Sequence, residues 1–446
     1  MTIDKLKILA EELVKRSLSK GADTAQIIIK DKEEFDVTVR NSVIETLIQA
    51  ESNSLLVILS KNKRKSSFSS SDLKEENIEN ILNNAIELLD YTEMDEYFSL
   101  PESNDLSSGA TDIQVFDEEY FNLSAAKKIE DAVQLEKYAI QEHPSIITEA
   151  SNISSKKVCK VIANSLGFCQ GYEKTMFSAS LSLVADDFTE GENSGRKQND
   201  GWYSVKTHIS DLDSLQSISK TAVERTIQKL GAKKPATMSV PVIFEKNSAA
   251  DFIGGLVGAV MGTNIYRRQS FLADCLNNKI GSDLFTLIDD PLMERQIGSR
   301  PFDSEGVKSR KVEIFKNGVL KNFLYDTYSA NKLGAKSTGA FNGISNLYLE
   351  NGKYPLEELI SGINEGILIT SMFGQGANII NGGYSRGAQG IRIQNGKLSH
   401  PVNEFTIAST FADILNNITM IGNDLSFNGT VNSPSIKVEK LTISGI

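Results

Sequence analysis

The chain has 446 residues, of which 40% are hydrophobic, 24% charged and 7% aromatic; it is long enough for two or three cores and too poor in Gly and Pro for a collagenous or low-complexity polypeptide. With 47 Lys+Arg against 58 Asp+Glu the formal charge is −11, which argues against general nucleic-acid binding because that needs a basic footprint. Three cysteines (Cys159, Cys169, Cys275) are no disulfide framework, Met1–Lys20 has no signal-like apolar core, and the most apolar uncharged stretch, 252–266, falls short of the roughly 18 residues of a membrane span, so the expected compartment is the cytoplasm.

Ile3, Leu6, Leu9, Ala10, Leu13, Val14 and Leu18 recur at helical spacing and Gly21 stops them, predicting a first helix. Alternating segments at 25–30, 35–40, 43–49, 55–59 and near Phe68 predict an antiparallel meander. A helix over 72–91 follows, then a polar loop over 101–112, a long helix over 117–142, strands between 146 and 209, and a helix over 212–229. Lys229–Thr237 reads as a junction between an N-terminal α/β domain, 1–235, and a β-rich C-terminal domain, 236–446. Of the 32 glycines, 24 lie after residue 236, as do all six Asn-Gly pairs, whose positive φ preference suits hairpin turns. Hairpins are expected at Asn317-Gly318 and Asn395-Gly396, and helices near 248–261, 328–333, 356–364 and 408–416. The fold class expected is α+β in two domains.

The chemical constellations are sparse. His143, His208 and His400 stand more than 50 residues apart, so no protein-built zinc site is expected. Gly383-Tyr-Ser-Arg-Gly387 fits a nucleophile elbow, yet strand-like alternation follows it and no acid precedes His400, favouring a Gly-rich loop entering a strand. Gly374-Gln-Gly376 is a fragment of a dinucleotide motif without its third glycine. Asp303 and Glu305 share a turn, where hydrogen bonding to backbone competes with acid/base work. Lys61-Asn-Lys-Arg-Lys65 reads as a solvated hairpin tip. The helix over 248–262 carries Gly254, Gly255, Gly258 and Gly262, each costing about 1 kcal/mol against Ala; it implies close packing of another backbone or a floor for an extended ligand.

Ala249–Gly262, Tyr266–Leu272, Pro301–Val307, Ser329–Gly334 with Lys336–Gly339, Tyr384–Gly387 and Asn417–Asp424 together resemble the TldD/PmbA family of peptidase-related proteins, also labelled modulators of DNA gyrase, in its PmbA (TldE) branch. The resemblance implies an α/β domain followed by a β-rich, barrel-like domain enclosing a cleft. In the TldD branch a helix carries H-E-x-x-x-H, which binds zinc and supplies a general base, and a Cys before a Gly adds to the site. Aligned by motif, Gly254 and Ala259 stand at the two His positions, Gly255 at the Glu position and Asn428 at the Cys position. These degenerate positions imply no catalytic residue and no cofactor in this chain, with zinc expected only in a TldD-like partner.

The resemblance further implies a non-catalytic subunit of a metalloprotease complex that processes unstructured peptides, with Asp303, Ser304, Tyr384, Ser385 and Arg386 as cleft candidates. The partners expected are a TldD-like subunit and a peptide, or a second copy of the chain, and neither nucleic acid nor membrane. Two other readings stand beside it: a self-sufficient peptidase, with Ser385 as its best nucleophile, and a homodimeric peptide-binding scaffold.

Overall fold

The computed structural model describes residues 1–109, 111–187 and 197–446; Ala110, inside the expected 101–112 loop, and 188–196, inside the expected strand region, lie outside the described residues. The first half forms one six-stranded antiparallel sheet in the order β3-β2-β1-β4-β5-β6. Its strands are β1 (Thr24–Arg40), β2 (Val43–Lys61), β3 (Arg64–Ser70), β4 (Ile146–Asn164), β5 (Cys169–Asp186) and β6 (Lys197–Lys206), with helices α1 (Ile3–Ser19), α2 (Glu75–Leu89), α3 (Ala125–Glu142) and α4 (Leu215–Ile227).

The meander is present, but its first four segments are two long strands. Positive φ at Asn41-Ser42 and Asn62-Lys63 makes the two hairpin turns, so the basic run 61–65 does end a hairpin. The polar residues between the expected segments, 31–34 and 50–54, sit in unbroken β1–β2 register, where alternation divides them between the two faces. The helix expected from Asp117 is broken: Asp117 caps a short 3-10 turn, and Ser124 starts α3 by accepting from the Lys127 N–H at 3.2 Å. Apolar faces of α1 and α2 close one core over Ile27, Ile29, Val57 and Val161.

The second half contains β7 (Met238–Phe244), α5 (Lys246–Val260), α6 (Gly262–Tyr266), β8 (Leu287–Asp289), β9 (Val312–Lys316), β10 (Val319–Leu320), α7 (Thr327–Leu333), β11 (Leu347–Leu349), α8 (Leu356–Ser361), β12 (Glu365–Phe373), β13 (Gly383–Gln394), β14 (Lys397–Thr410), α9 (Phe411–Asn416), β15 (Ile418–Ile421), β16 (Val431–Asn432) and β17 (Ile436–Ser444). Strands β14-β13-β12-β7-β17 pair in order, and β14 also pairs with β17, so they close a five-stranded barrel. Strand closure removes edges, and the interior fills with apolar side chains, here Val242, Phe244, Ile367, Ile407, Val438 and Ile443. A second sheet, β10-β9-β8-β11-β16, packs into the same core. The α+β class therefore holds, with the barrel expected for the second half.

Both Asn-Gly hairpins form, with positive φ at Asn317-Gly318 and Asn395-Gly396. The second corrects the reading of Gly383–Gly387 as a loop, since those residues already pair with β14. Helix α5 stops at Val260 because Met261 is extended, so Gly262 opens α6 instead of continuing the glycine face. Among the described residues no helix is long and apolar enough to cross a membrane, and Cys159, Cys169 and Cys275 are all free.

Candidate functional site

A cleft of about 770 Å³ lies where the two halves meet. One wall is β6 (Asp200 to Tyr203), its floor is the exposed side of α5, and the far wall is formed by the end of β12, the 374–377 loop and Arg386 of β13, with the 426–433 segment closing one side. Glycines at 254 and 255 keep the α5 floor low. A Cβ at Gly254 would meet nothing within 4 Å, whereas one at Gly255 would stand 3.1 Å from the Phe411 ring and 3.2 Å from the Ala377 Cβ. Gly258, one turn on, is packed against Ile379. The glycine-rich face is thus open at Gly254 and closely packed at Gly255 and Gly258, and what approaches it there is side chains where another backbone was expected.

The charged groups on the walls are fixed by a network. Arg225 makes ion pairs with Asp200 (3.4 Å) and Glu245 (3.8 Å), and its guanidinium lies 5.3 Å from the Trp202 ring centroid. Lys229 adds a 2.8 Å contact to Asp200. Burial raises the Glu245 carboxyl above its usual range, with Arg225 opposing. Asp251, one turn before the glycines, is also raised by burial, and Arg386 across the cleft counteracts this. The Arg386 Nε is buried without a hydrogen-bond partner, so this guanidinium retains binding capacity. The arrangement offers an aromatic wall, three cations (Arg225, Lys246 and Arg386), two carboxylates (Asp200 and Asp251) and glycine backbone, the kinds of contact an extended polar ligand can use.

Of the expected residues, Arg386, Gly254, Gly255 and Asn428 meet in this cleft. Tyr384 lies beneath it, its hydroxyl 3.1 Å from the Met372 Sδ and pushed up to about 12 by burial. Ser385 is exposed on β13, its N–H donating to the Gly376 carbonyl at 2.8 Å. No histidine approaches it: the His400, His208 and His143 rings bond to Ser399, Thr207 and Ser145.

Asp303 and Ser304 are elsewhere, and their expected place in the cleft is corrected by burial. Asp303 is fully buried and accepts from the backbone N–H groups of Glu305 (2.9 Å), Val307 (3.0 Å) and Phe341 (3.1 Å). Ser304 joins the halves, its carbonyl accepting from the Gln26 amide and its hydroxyl from Lys160 at 2.6 Å. Glu305 accepts from the Thr327 N–H and hydroxyl at 2.9 and 2.7 Å. The motif is a clasp, and the turn hydrogen bonding weighed from sequence is what these carboxylates do.

Zinc does not fit the four degenerate positions. Gly254, Gly255 and Ala259 carry no donor atom, and Ala259 is fully buried away from the cleft. The Asn428 Oδ1 already accepts from Lys206 at 2.8 Å. Among the described residues no three His, Cys, Asp or Glu side chains gather as a metal site would need. Sequence reasoning missed Trp202, Arg225, Lys246 and Asp251. Asp251 had a usable signal, its place one helical turn before Gly254 and Gly255, and Lys246 opens the same helix; Trp202 and Arg225 come from the first half and meet the cleft only in three dimensions.

Models of three PmbA/TldA metallopeptidase domains match in order: domain 1 at 25–89, the central domain at 118–230 and the C-terminal domain at 237–445. The metalloprotease PmbA homolog of Buchnera aphidicola subsp. Acyrthosiphon pisum (strain APS) is 33% identical over 96% of this chain and 95% of its own. The metalloprotease TldD homolog of that same strain is 24% identical, over 70% of this chain and 74% of its own. A crystal structure from Bacteroides thetaiotaomicron VPI-5482, named as a modulator of DNA gyrase, superposes with TM-score 0.93 at 29% identity, covering 99% of each chain.

Proposed function

The chain belongs to the PmbA/TldD family of metallopeptidases, and we propose that it is a metal-free, non-catalytic subunit that holds unstructured peptide for a zinc-bearing, TldD-like partner. The observation that carries this reading is the contrast within one cleft. Its peptide-sized walls are built and charged, while Gly254, Gly255, Ala259 and Asn428 leave it without a metal-binding donor set. One Buchnera strain holds relatives named for both branches, which supports a pair of unlike chains. The cytoplasm is the proposed compartment, in keeping with three free cysteines.

Within the pair, Arg386 and Asp251 orient the peptide, Trp202 and Tyr203 pack on its side chains, and the 374–376 glycine loop exposes backbone groups for pairing. The test is peptide cleavage by this chain mixed with the TldD-like relative from its own organism. The pair is expected to cleave and this chain alone to be inert. Arg386→Ala should lower the rate at least tenfold, an effect of about 1.4 kcal/mol, with the thermal midpoint unchanged. Cleavage by this chain alone, or full activity of the Arg386→Ala pair, would overturn the proposal.

A further inference from the structure

A second cavity, of about 500 Å³, lies on the face of the first sheet opposite α1 and α2, under the 297–300 and 342–344 loops of the second half. Strand alternation sends five lysines to it: Lys30 and Lys32 from β1, Lys156 and Lys160 from β4, and Lys174 from β5. Arg300 is the sixth cation. In a chain of net charge −11 this is a strong local reversal of sign.

Carboxylates among the described residues offset it only in part, with Glu34 acting on Lys32 and Lys156 and Asp303 on Lys160 and Arg300. Among the described residues only Lys32 has a carboxylate within ion-pair distance, that of Glu34. Lys160 donates to the Ser304 hydroxyl and Lys174 to the Ile297 and Ser299 carbonyls, all uncharged acceptors. Lys30 and Lys160 are direct cross-strand partners, and like charges placed opposite each other destabilise a sheet. Burial, with Lys30 and Arg300 adding repulsion and Asp303 opposing it, brings Lys160 down to about 7; burial and Arg300 bring Lys174 down to about 8.

We propose that this cavity binds a small anion carrying two or more phosphate groups. The donor chemistry favours a multiply charged anion: two of the five Arg300 N–H donors go to the Ile344 (3.1 Å) and Gly343 (2.6 Å) carbonyls, which fixes the guanidinium in place while its other N–H groups stay uncommitted to a carboxylate. Lysines are point charges that match a multiply charged phosphate from several directions. The Arg300 Nε, buried without a partner, is a further donor at the site. Lys30 stands exposed at the mouth and Lys160 and Lys174 are buried at the base, so lysine amines line the path of entry. Thr430 lines this cavity while Gly429 and Val431 line the peptide cleft, so one segment walls both.

The experiment is calorimetric titration of the full chain with sodium tripolyphosphate, citrate and inorganic phosphate. Tripolyphosphate is expected to bind one to one, at least tenfold tighter than citrate or phosphate, and more weakly as ionic strength rises. Lys30→Gln and Lys156→Gln, at or near the surface, should each weaken it at least fivefold with a thermal midpoint no lower than the parent's. Lys74→Gln, on a different surface, should leave it unaltered. No saturable tripolyphosphate binding, tighter citrate binding, or equal loss with Lys74→Gln would each overturn the proposal.

Discussion

Replacing Glu305 by Gln tests whether Pro301–Val307 is a structural clasp. Burial, reinforced by the Asp303 carboxyl and opposed by the hydrogen bonds from Thr327, pushes the Glu305 pKa up to about 8 from 4.5. Between those values the unfolded chain has lost this proton and the folded chain keeps it. The contribution of the group to stability is therefore complete below the unfolded value and is lost as pH rises through the folded one. At 1.36 kcal/mol per pKa unit the loss by pH 8 is about 5 kcal/mol. Gln keeps an oxygen to accept from Thr327 and never ionises. Relative to the parent, Glu305→Gln should gain stability steadily with pH and level off above pH 8. Urea unfolding followed by the fluorescence of the single tryptophan, Trp202, measures the difference across this range. A difference independent of pH, or a variant less stable than the parent at pH 8, would refute the reasoning.

Asp303→Asn should cost about 2–3 kcal/mol in the same assay, because an amide nitrogen must then face one of three backbone donors; a cost below about 1 kcal/mol would count against the clasp. Restoring the metal-branch residues by Gly254→His, Gly255→Glu, Ala259→His and Asn428→Cys should lower the thermal midpoint and bind no stoichiometric zinc by elemental analysis. The crowding at Gly255 and the burial of Ala259 make overpacking cost about 1–3 kcal/mol per site. One zinc per chain with an unshifted midpoint would show that the site needs only its ligands.

The residues that describe this protein divide by how far their causes reach along the chain. Local causes were legible from the amino acids. The apolar period of α1 and the Asn-Gly pairs at 317 and 395 depend on neighbours within a few positions, and they form as expected. The missing donors at 254, 255 and 259 are equally plain, because the absence of a side-chain nitrogen, oxygen or sulfur needs no fold to interpret it. Asn428 alone keeps an amide oxygen, and only the structure shows it committed to Lys206. Even the α5 break at Met261 belongs to the tertiary structure, where the Leu324 carbonyl accepts from the Gly262 N–H at 2.8 Å.

What only the fold decided is burial and encounter. Asp303 and Ser304 resemble cleft residues in a motif and become a clasp once three backbone donors and two residues of the first sheet close on them. Trp202, Arg225 and Asp251 line one cleft although up to 49 positions separate them. The five lysines of the second cavity are unremarkable along β1, β4 and β5, where each reads as a solvated strand residue. They become a single charge cluster when strand pairing sets Lys30 beside Lys160 and the 297–300 loop covers them. Coulomb repulsion and desolvation act through space, so their sites emerge only when distant segments are brought together.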